Sequence, residues 1–254
     1  MRGSRVLIAF VIASCNAPSV DLEGKQCPCA PGYRCDDTTH TCTTHDAGID
    51  SASDAAICNI AFVKSVLAIG VDTAKFPNGN TTGNFIVAGI SLSGSTDTVT
   101  GVTDSEGNTY SRAAGLGEQD DNFYGYYVVW FAPVTGGSNF DNTLTVAPTA
   151  QHVFAAEYTC VATSNPFDAI AGAMHIAAPY SLTCAEDREL IVSVAGFQGG
   201  GTNWTVGGND RSGLLNKSYE YSDFIGVAGP NSVSVLTSVG HMPGGIAVSF
   251  KPTH

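Results

Sequence analysis

Over residues 58–254, short apolar runs alternate with clusters of Gly, Asn, Asp and Pro. Most of these runs lack the 3.6-residue spacing that an amphipathic helix requires. Several alternate with a period of two, so that Phe154, Ala156 and Tyr158 fall on one face of their run. Turn-forming sequences such as PNGN at 77–80 separate the runs. The pattern predicts an all-β domain, an antiparallel β-sandwich that is either jelly-roll-like or immunoglobulin-like.

A short cysteine-rich segment, residues 27–43, precedes this domain. Four cysteines lie within sixteen residues, which leaves no room for a hydrophobic core, so covalent links must hold any structure there. We expect a small disulfide-stapled hairpin. Four cysteines allow three connectivities, of which we favour Cys27–Cys35 with Cys29–Cys42.

The remaining N-terminal segments have no periodic apolar face. Residues 1–14 combine two arginines, a short apolar run and small residues, which is the layout of a signal peptide. The run is shorter than the roughly 20 residues that a membrane-spanning helix needs. Residues 15–26 are expected to form a tether, and residues 44–57, rich in small and acidic residues, a linker.

The signal ends in IASC, residues 12–15, which resembles the lipobox of bacterial lipoproteins. The resemblance implies that the chain is cleaved before Cys15 and that Cys15 carries the lipid. Asn16 follows in place of Asp, which by the same resemblance implies the outer membrane or cell surface of a Gram-negative bacterium. The alternative is an ordinary secretory signal, with Cys15 forming half of a disulfide.

The chain has eight cysteines, as expected of an exported protein in an oxidising compartment. A zinc site would need reduced thiolates, which export disfavours. If Cys15 is acylated and the small module forms two disulfides, three cysteines remain. We predict a Cys160–Cys184 disulfide with Cys58 left free, and Cys58–Cys184 as the alternative.

Three stretches, VTDSEGNTY, AEYTC and NPFD, resemble landmarks of a widespread, mostly uncharacterised secreted bacterial β-sandwich domain. The resemblance covers roughly residues 58–252 and implies the fold far more than any function. Cys160 stands where that group usually has Gly, as a disulfide at this position would require, and Phe167 stands where it usually has Leu. The matching residues are Val102, Asp104, Gly107, Asn108, Tyr110, Ala156, Glu157, Tyr158, Pro166 and Asp168.

The net charge and the catalytic motifs that the sequence lacks reduce the number of candidate functions. A formal charge of −12 repels nucleic acid and anionic lipid headgroups, so we expect no nucleic-acid partner. The sequence has no Gly-x-Ser-x-Gly, His-Glu-x-x-His, phosphate-binding loop or dinucleotide fingerprint. Glu157 and Asp168 are the carboxylates to examine for catalysis, although a hydrogen bond to a backbone amide is the favoured role for Glu157.

Acidic turns make calcium the one candidate cofactor. Asp104, Asp120 and Asp121 lie in turns that also contain Asn, and calcium binds six to eight such oxygens. Hairpin turns use the same residue types without any metal.

Aromatic side chains are the candidate ligand contacts. A strand face lined with rings can stack on sugars, as in carbohydrate-binding sandwiches, but rings more often pack between sheets. The candidates are Tyr124, Tyr126, Trp130, Trp204, Tyr219 and Tyr221.

The sequence therefore predicts an envelope-anchored lipoprotein whose β-sandwich binds a glycan, an envelope protein or a structural ion without catalysis. The alternative is a secreted polysaccharide hydrolase or lyase that uses carboxylates or tyrosines in a sheet groove. A deep cleft with two facing carboxylates would favour the enzyme, and a surface with exposed aromatics would favour the binding module.

Overall fold

A computed structural model describes residues 25–26, 33–35, 40–44, 58–92, 97–119, 124–150, 152–174, 178–196, 204–212, 219–237 and 244–254. All regular elements among these residues are strands, and all pairings are antiparallel, which confirms the predicted all-β sandwich. No helix in the described ranges is long and apolar enough to cross a membrane. The strands are β1 Tyr33–Cys35, β2 Cys42–Thr44, β3 Ala61–Ile69, β4 Thr73–Phe76, β5 Phe85–Leu92, β6 Gly101–Asp104, β7 Ser111–Gln119, β8 Tyr124–Pro133, β9 Asn142–Ala147, β10 His152–Thr159, β11 Phe167–Ala173, β12 Tyr180–Cys184, β13 Leu190–Gly196, β14 Trp204–Val206, β15 Asn209–Asp210, β16 Tyr219–Ile225, β17 Gly229–Val233, β18 Val235–Thr237 and β19 Gly244–Phe250.

The chain divides into two compact units, residues 1–56 and 57–254. In the first unit β1 pairs with β2, and Cys35 lies opposite Cys42 in the register, so the predicted hairpin is present. Cys15, Cys27 and Cys29 lie outside the described residues, and the pairings proposed for the small module stay predictions.

The second unit is built from two halves with the same strand order, residues 58–160 and 161–254. Each half contributes a five-stranded sheet, ordered β3-β10-β5-β8-β7 in the first and β11-β19-β13-β16-β15 in the second. In both sheets the first strand of the half lies at one edge beside its last strand. The small sheets also correspond. In the first half, β9 pairs with both β4 and β6. In the second half, the consecutive strands β17 and β18 take the place of β9, and they pair with β12 and β14.

Alternate residues of the central strands enter different hydrophobic cores. Phe85 and Val87 of β5 belong to the core between the two five-stranded sheets, whereas Ile86, Ala88 and Ile90 pack against the three-stranded sheet. Every residue of β5, β13 and β19 is buried. These strands are therefore apolar on both faces, which is why their sequences read as nearly continuous apolar runs.

The two five-stranded sheets approach closely at Gly89 of β5. A Cβ atom there would lie only 2.6 Å from Cγ2 of Val194 on β13. It would also lie 3.1 Å from the ring of Tyr221, closer than carbon atoms normally pack. A side chain at this position would push the sheets apart, so glycine is needed for the packing.

The disulfide of the large unit joins Cys58 to Cys160, with a Cα–Cα distance of 5.4 Å. The predicted Cys160–Cys184 pairing is wrong, and so is its alternative. The reason is that β3 pairs antiparallel with β10, and Ala61 lies opposite Thr159, which brings the residues just outside these strands together. Cys184 ends β12 in a separate core. Among the cysteines whose side chains the structure describes, it is the one with a free thiol, and burial raises its pKa to about 12.

Candidate functional site

Glu157 on β10 is fully buried and accepts hydrogen bonds from the loop before β5. Its Oε1 accepts from the backbone N–H of Thr81 at 2.8 Å and from Asn84 Nδ2 at 2.6 Å. Its Oε2 accepts from Asn80 Nδ2 at 2.8 Å and lies 3.5 Å from Lys64 Nζ. The favoured structural role for Glu157 therefore holds, and its carboxylate is enclosed by the groups that it fixes.

Asp104, which ends β6, organises the next loop. Its Oδ1 accepts from the backbone N–H groups of Glu106 and Asn108. Its Oδ2 accepts from the side chains of Asn108, Tyr110 and Asn142, at 2.8, 2.9 and 3.0 Å. A carboxylate has about four lone-pair sites, and five donors already occupy them. The lone pairs of Asp104 are therefore used to hold the loop in this structure, and its predicted role as a calcium ligand stays a prediction.

Asn142 at the start of β9 joins these two centres. It is fully buried, and its amide nitrogen donates to Asn80 Oδ1 at 2.8 Å as well as to Asp104 Oδ2. Both amide hydrogens are therefore used, and one continuous chain of hydrogen bonds runs from Glu157 to Asp104. We call the connected set the loop network, which comprises Lys64, Asn80, Thr81, Asn84, Asp104, Glu106, Asn108, Asn142 and Glu157.

The loop network also fixes a third loop, between β8 and β9. Glu106 Oε1 accepts from the backbone N–H groups of Asn80 and Ser138 and from the Ser138 hydroxyl, at 2.9–3.1 Å. Asn108 Oδ1 accepts from the backbone N–H of Thr135 at 2.8 Å. Three loops at one end of the first half are therefore held together by side-chain hydrogen bonds rather than by strand pairing.

Phe140 lies in this third loop and is 83% exposed. Its backbone N–H donates to Ser138 Oγ at 3.2 Å, and the next residue, Asp141, accepts from the backbone N–H of Asn78 at 3.0 Å. Asp141 also pairs with Lys75, whose hydrogen bond lowers the pKa of Asp141. An exposed ring thus sits on a backbone fixed from both sides. Sequence reasoning missed it because GGSNF has the composition of a simple turn.

A small cavity, the inter-sheet pocket, opens between the five-stranded sheets at the other end of β10. Its volume is about 20 Å³, room for roughly one water molecule. The rings of His152 and Tyr219 lie 3.9 Å apart, and those of Phe154 and Tyr221 lie 3.6 Å apart. The lining includes Ser91, His152, Phe154, Tyr219, Glu220 and Tyr221.

Two carboxyl groups meet beside this pocket. The Ser212 hydroxyl lies 2.8 Å from Asp210 Oδ1 and 3.0 Å from Glu220 Oε2. Glu220 is only 2% exposed. Burial first, and then the nearby Asp210, raise the pKa of Glu220 to about 8. Sequence reasoning overlooked this pair because neither residue belongs to a motif.

A second buried carboxylate, Asp223 on β16, links the two halves. It accepts from the Tyr158 hydroxyl at 2.6 Å and from Arg211 Nε at 2.7 Å. The Arg211 guanidinium lies 3.9 Å from the ring centroid of Phe62. The motif residue Tyr158 therefore ties the first five-stranded sheet to the second.

Most of the predicted aromatic contacts belong to the cores. Tyr221 is 1% exposed and stacks on Phe154, so it has no surface on which a sugar could stack, and its proposed ligand role is wrong. Trp130 and Tyr126 are half-buried against the core of the three-stranded sheet, and Tyr219 is half-buried at the inter-sheet pocket. Two candidates have side chains outside the described set: Tyr124 and Trp204.

Asp168 is also structural. Its Oδ2 accepts from the backbone N–H of Ala185 at 2.9 Å, and its Oδ1 lies 3.7 Å from Lys251 Nζ. Asp120 and Asp121 lie outside the described residues. Within the described ranges, no group of three or more His, Cys, Asp or Glu residues has the arrangement of a metal site.

Comparison of the chain with protein-family models, with curated proteins and with solved structures found no match. The function must therefore be inferred from the geometry of the chain itself.

Proposed function

We propose that the chain is an exported, lipid-anchored binding module whose β-sandwich engages a neutral glycan or an envelope protein without catalysis. The observation that carries this proposal is Phe140, an exposed ring on a loop held by hydrogen bonds to the loop network. A side chain whose backbone is already fixed loses little conformational entropy on binding, so its contact area is converted efficiently into affinity.

The fate of the motif carboxylates supports binding over catalysis. The carboxylate oxygens of Glu157 and Asp168 accept hydrogen bonds and form ion pairs that hold loops and strands together. A general acid or base has to reach the substrate, and Glu157 is fully buried.

The charge of the chain supports a neutral ligand. At a formal charge of −12, the protein repels polyanions such as acidic glycans and nucleic acids. A neutral sugar ring can stack on Phe140 without that electrostatic cost, and an apolar patch on an envelope protein can do the same.

Replacing Phe140 by Ala should weaken binding about fivefold to tenfold, because one stacked ring is worth on the order of 1 kcal/mol. Isothermal titration of the full chain with the glycan or envelope protein that the wild type binds measures the change in affinity. Val227→Ala is the matched control, since Val227 is also an exposed apolar residue but lies in the second half. Equal affinities for the wild type and Phe140→Ala would exclude the loop as the contact surface.

The anchor is tested at Cys15. Several acyl chains, at about 0.8 kcal/mol per buried methylene, make release from a membrane negligible. Cys15→Ser should therefore move the protein from the membrane fraction to the soluble fraction after detergent-free lysis. A wild-type protein that is already soluble, and whose N-terminal peptide carries no acyl mass, would contradict the anchor.

The second candidate function is a polysaccharide hydrolase or lyase, favoured by Asp210 and Glu220. A carboxyl group that stays protonated near neutral pH is what a general acid requires, and the pKa of Glu220 is about 8. Against this reading, the adjoining inter-sheet pocket has a volume of about 20 Å³, which suits one water rather than a sugar ring.

A further inference from the structure

Lys64 places an amine against the buried carboxylate of the loop network. It lies on β3, opposite Glu157 of β10 in the strand register. Its Nζ lies 3.5 Å from Glu157 Oε2 and donates to the backbone carbonyls of Pro77 and Gly79. The Lys64 side chain is 27% exposed. These contacts hold the amine beside Asn80, because Gly79 immediately precedes that residue.

Asn80 brings a carboxamide to the same carboxylate oxygen. Asn80 is 3% exposed, and its Nδ2 donates to Glu157 Oε2 at 2.8 Å. Asn84, the other side-chain amide at this carboxylate, donates to Oε1 instead. The oxygen that Lys64 approaches is thus the one that Asn80 contacts, which makes Asn80 rather than Asn84 the reaction partner of the amine.

The side-chain carbonyl of Asn80 is oriented by Asn142. Asn142 Oδ1 accepts from the backbone N–H of Ser105 at 3.1 Å, so the Asn142 nitrogen faces Asp104 and Asn80. That nitrogen donates to Asn80 Oδ1 at 2.8 Å. A donor at a carbonyl oxygen stabilises the negative charge that develops there when a nucleophile adds to the carbon.

We propose that Lys64 and Asn80 form an intramolecular isopeptide bond, with Glu157 as the proton carrier. The site supplies a nucleophile, a carboxamide, a base and a donor to the developing oxyanion. Glu157 is enclosed and cannot reach an external substrate, but in this reaction the substrate is the chain itself. Groups that the fold holds together react far faster than the same groups free in solution, and only one turnover is needed.

The reaction is a transamidation that releases ammonia. Glu157 takes a proton from the Lys64 ammonium, and the neutral amine adds to Cγ of Asn80 to form a new C–N bond. Glu157 gives that proton to Nδ2 and takes a second proton from the Lys64 nitrogen. The bond from Cγ to Nδ2 then breaks, its electron pair leaves on the nitrogen as ammonia, and the ammonia removes the last proton from Glu157. No oxidant or cofactor enters, and the positive charge of Lys64 leaves as ammonium.

The bond ties an edge strand to the body of the first half. β3 lies at the edge of its five-stranded sheet and pairs there with β10 alone. The bond joins β3 to the loop before β5, which the loop network also holds. Edge strands open locally more easily than central ones, so a covalent link at this position protects the part of the fold that is weakest. Unlike the disulfide, it resists reducing agents.

The mass of the purified full chain, reduced and alkylated, tests the bond. The chain should be lighter by one ammonia than its processed sequence. Trypsin should not cut after Lys64, because an amide no longer carries the charge that trypsin recognises. The peptide spanning residues 35–75 should therefore be recovered joined to the peptide spanning residues 76–112, and its fragmentation should place the link between Lys64 and Asn80.

Three variants remove one reacting group each. Lys64→Arg lacks the primary amine, Asn80→Ala lacks the carboxamide, and Glu157→Gln lacks the proton carrier, so all three should keep the full mass of their sequences. Lys75→Arg is the matched control, since Lys75 lies on the neighbouring strand β4 and pairs with Asp141 at the surface. It should lose one ammonia as the wild type does.

The wild-type peptide map decides the proposal even where a variant fails to fold. An unchanged wild-type mass, with trypsin cutting after Lys64, would overturn it. A link that maps to Asn84 would overturn the assignment to Asn80. An ammonia loss that persists in Lys64→Arg would also overturn the proposal, because it would arise from a succinimide at Asn78–Gly79 rather than from a cross-link.

Discussion

Replacing Glu157 by Ala should lower the free energy of unfolding by about 3–5 kcal/mol. The substitution leaves three donors without their acceptor, the buried side-chain amide of Asn80 and the partly buried backbone N–H of Thr81 and side-chain amide of Asn84. Each buried donor without an acceptor costs about 1–3 kcal/mol. Urea denaturation of the full chain, with the slope checked for two-state behaviour, measures the loss.

Glu186→Ala is the matched control, since Glu186 pairs with His254 at the surface and such pairs are worth about 0–1 kcal/mol. The loss of unfolding free energy in Glu157→Gln should fall between those of Glu157→Ala and Glu186→Ala, because the glutamine amide nitrogen cannot accept a hydrogen bond from the loop. If Glu157→Ala loses less than about 1 kcal/mol, the loop network does not hold the three loops.

Removing the disulfide by replacing Cys58 and Cys160 together with Ser should cost about 3–5 kcal/mol. The bond closes a loop with a sequence separation of 102 residues, which spans the whole first half, and long loops restrict the unfolded chain most. Guanidinium denaturation of the oxidised wild type and of the double variant measures the difference.

The control for this experiment is Cys184→Ala, which removes a buried free thiol and should cost no more than an ordinary small truncation, about 1 kcal/mol. Alkylation without reduction, in denaturant, should label Cys184 and leave Cys58 and Cys160 unlabelled. Label on Cys58 would contradict the Cys58–Cys160 bond.

The fold class followed from the sequence because alternation and turn residues are local signals. The strand β5 is an example: its eight residues read as a buried run, and all eight are buried. The shared strand order of the two halves was not foreseen. β10 and β19 occupy the same position in their sheets, yet their sequences, HVFAAEYT and GGIAVSF, have almost no identical residues when they are aligned.

The other features that the sequence did not predict depend on contacts between residues far apart in the chain. The Cys58–Cys160 bond depends on β3 lying beside β10, which spacing along the chain does not reveal. The motif residue Asp104 was recognised, but its role depends on Asn142, 38 residues away. Asp210 and Glu220 become a pair only once β15 is known to lie on β16.

The most direct test of the proposed function is to incubate the full chain with neutral and acidic polysaccharides and envelope extracts, measuring binding and new reducing ends or unsaturated products together. We expect saturable, weak binding to a neutral glycan or an envelope protein, weakened in Phe140→Ala, with no product formed. Turnover of any polysaccharide that is abolished by Glu220→Gln or Asp210→Asn would contradict a binding module and establish an enzyme.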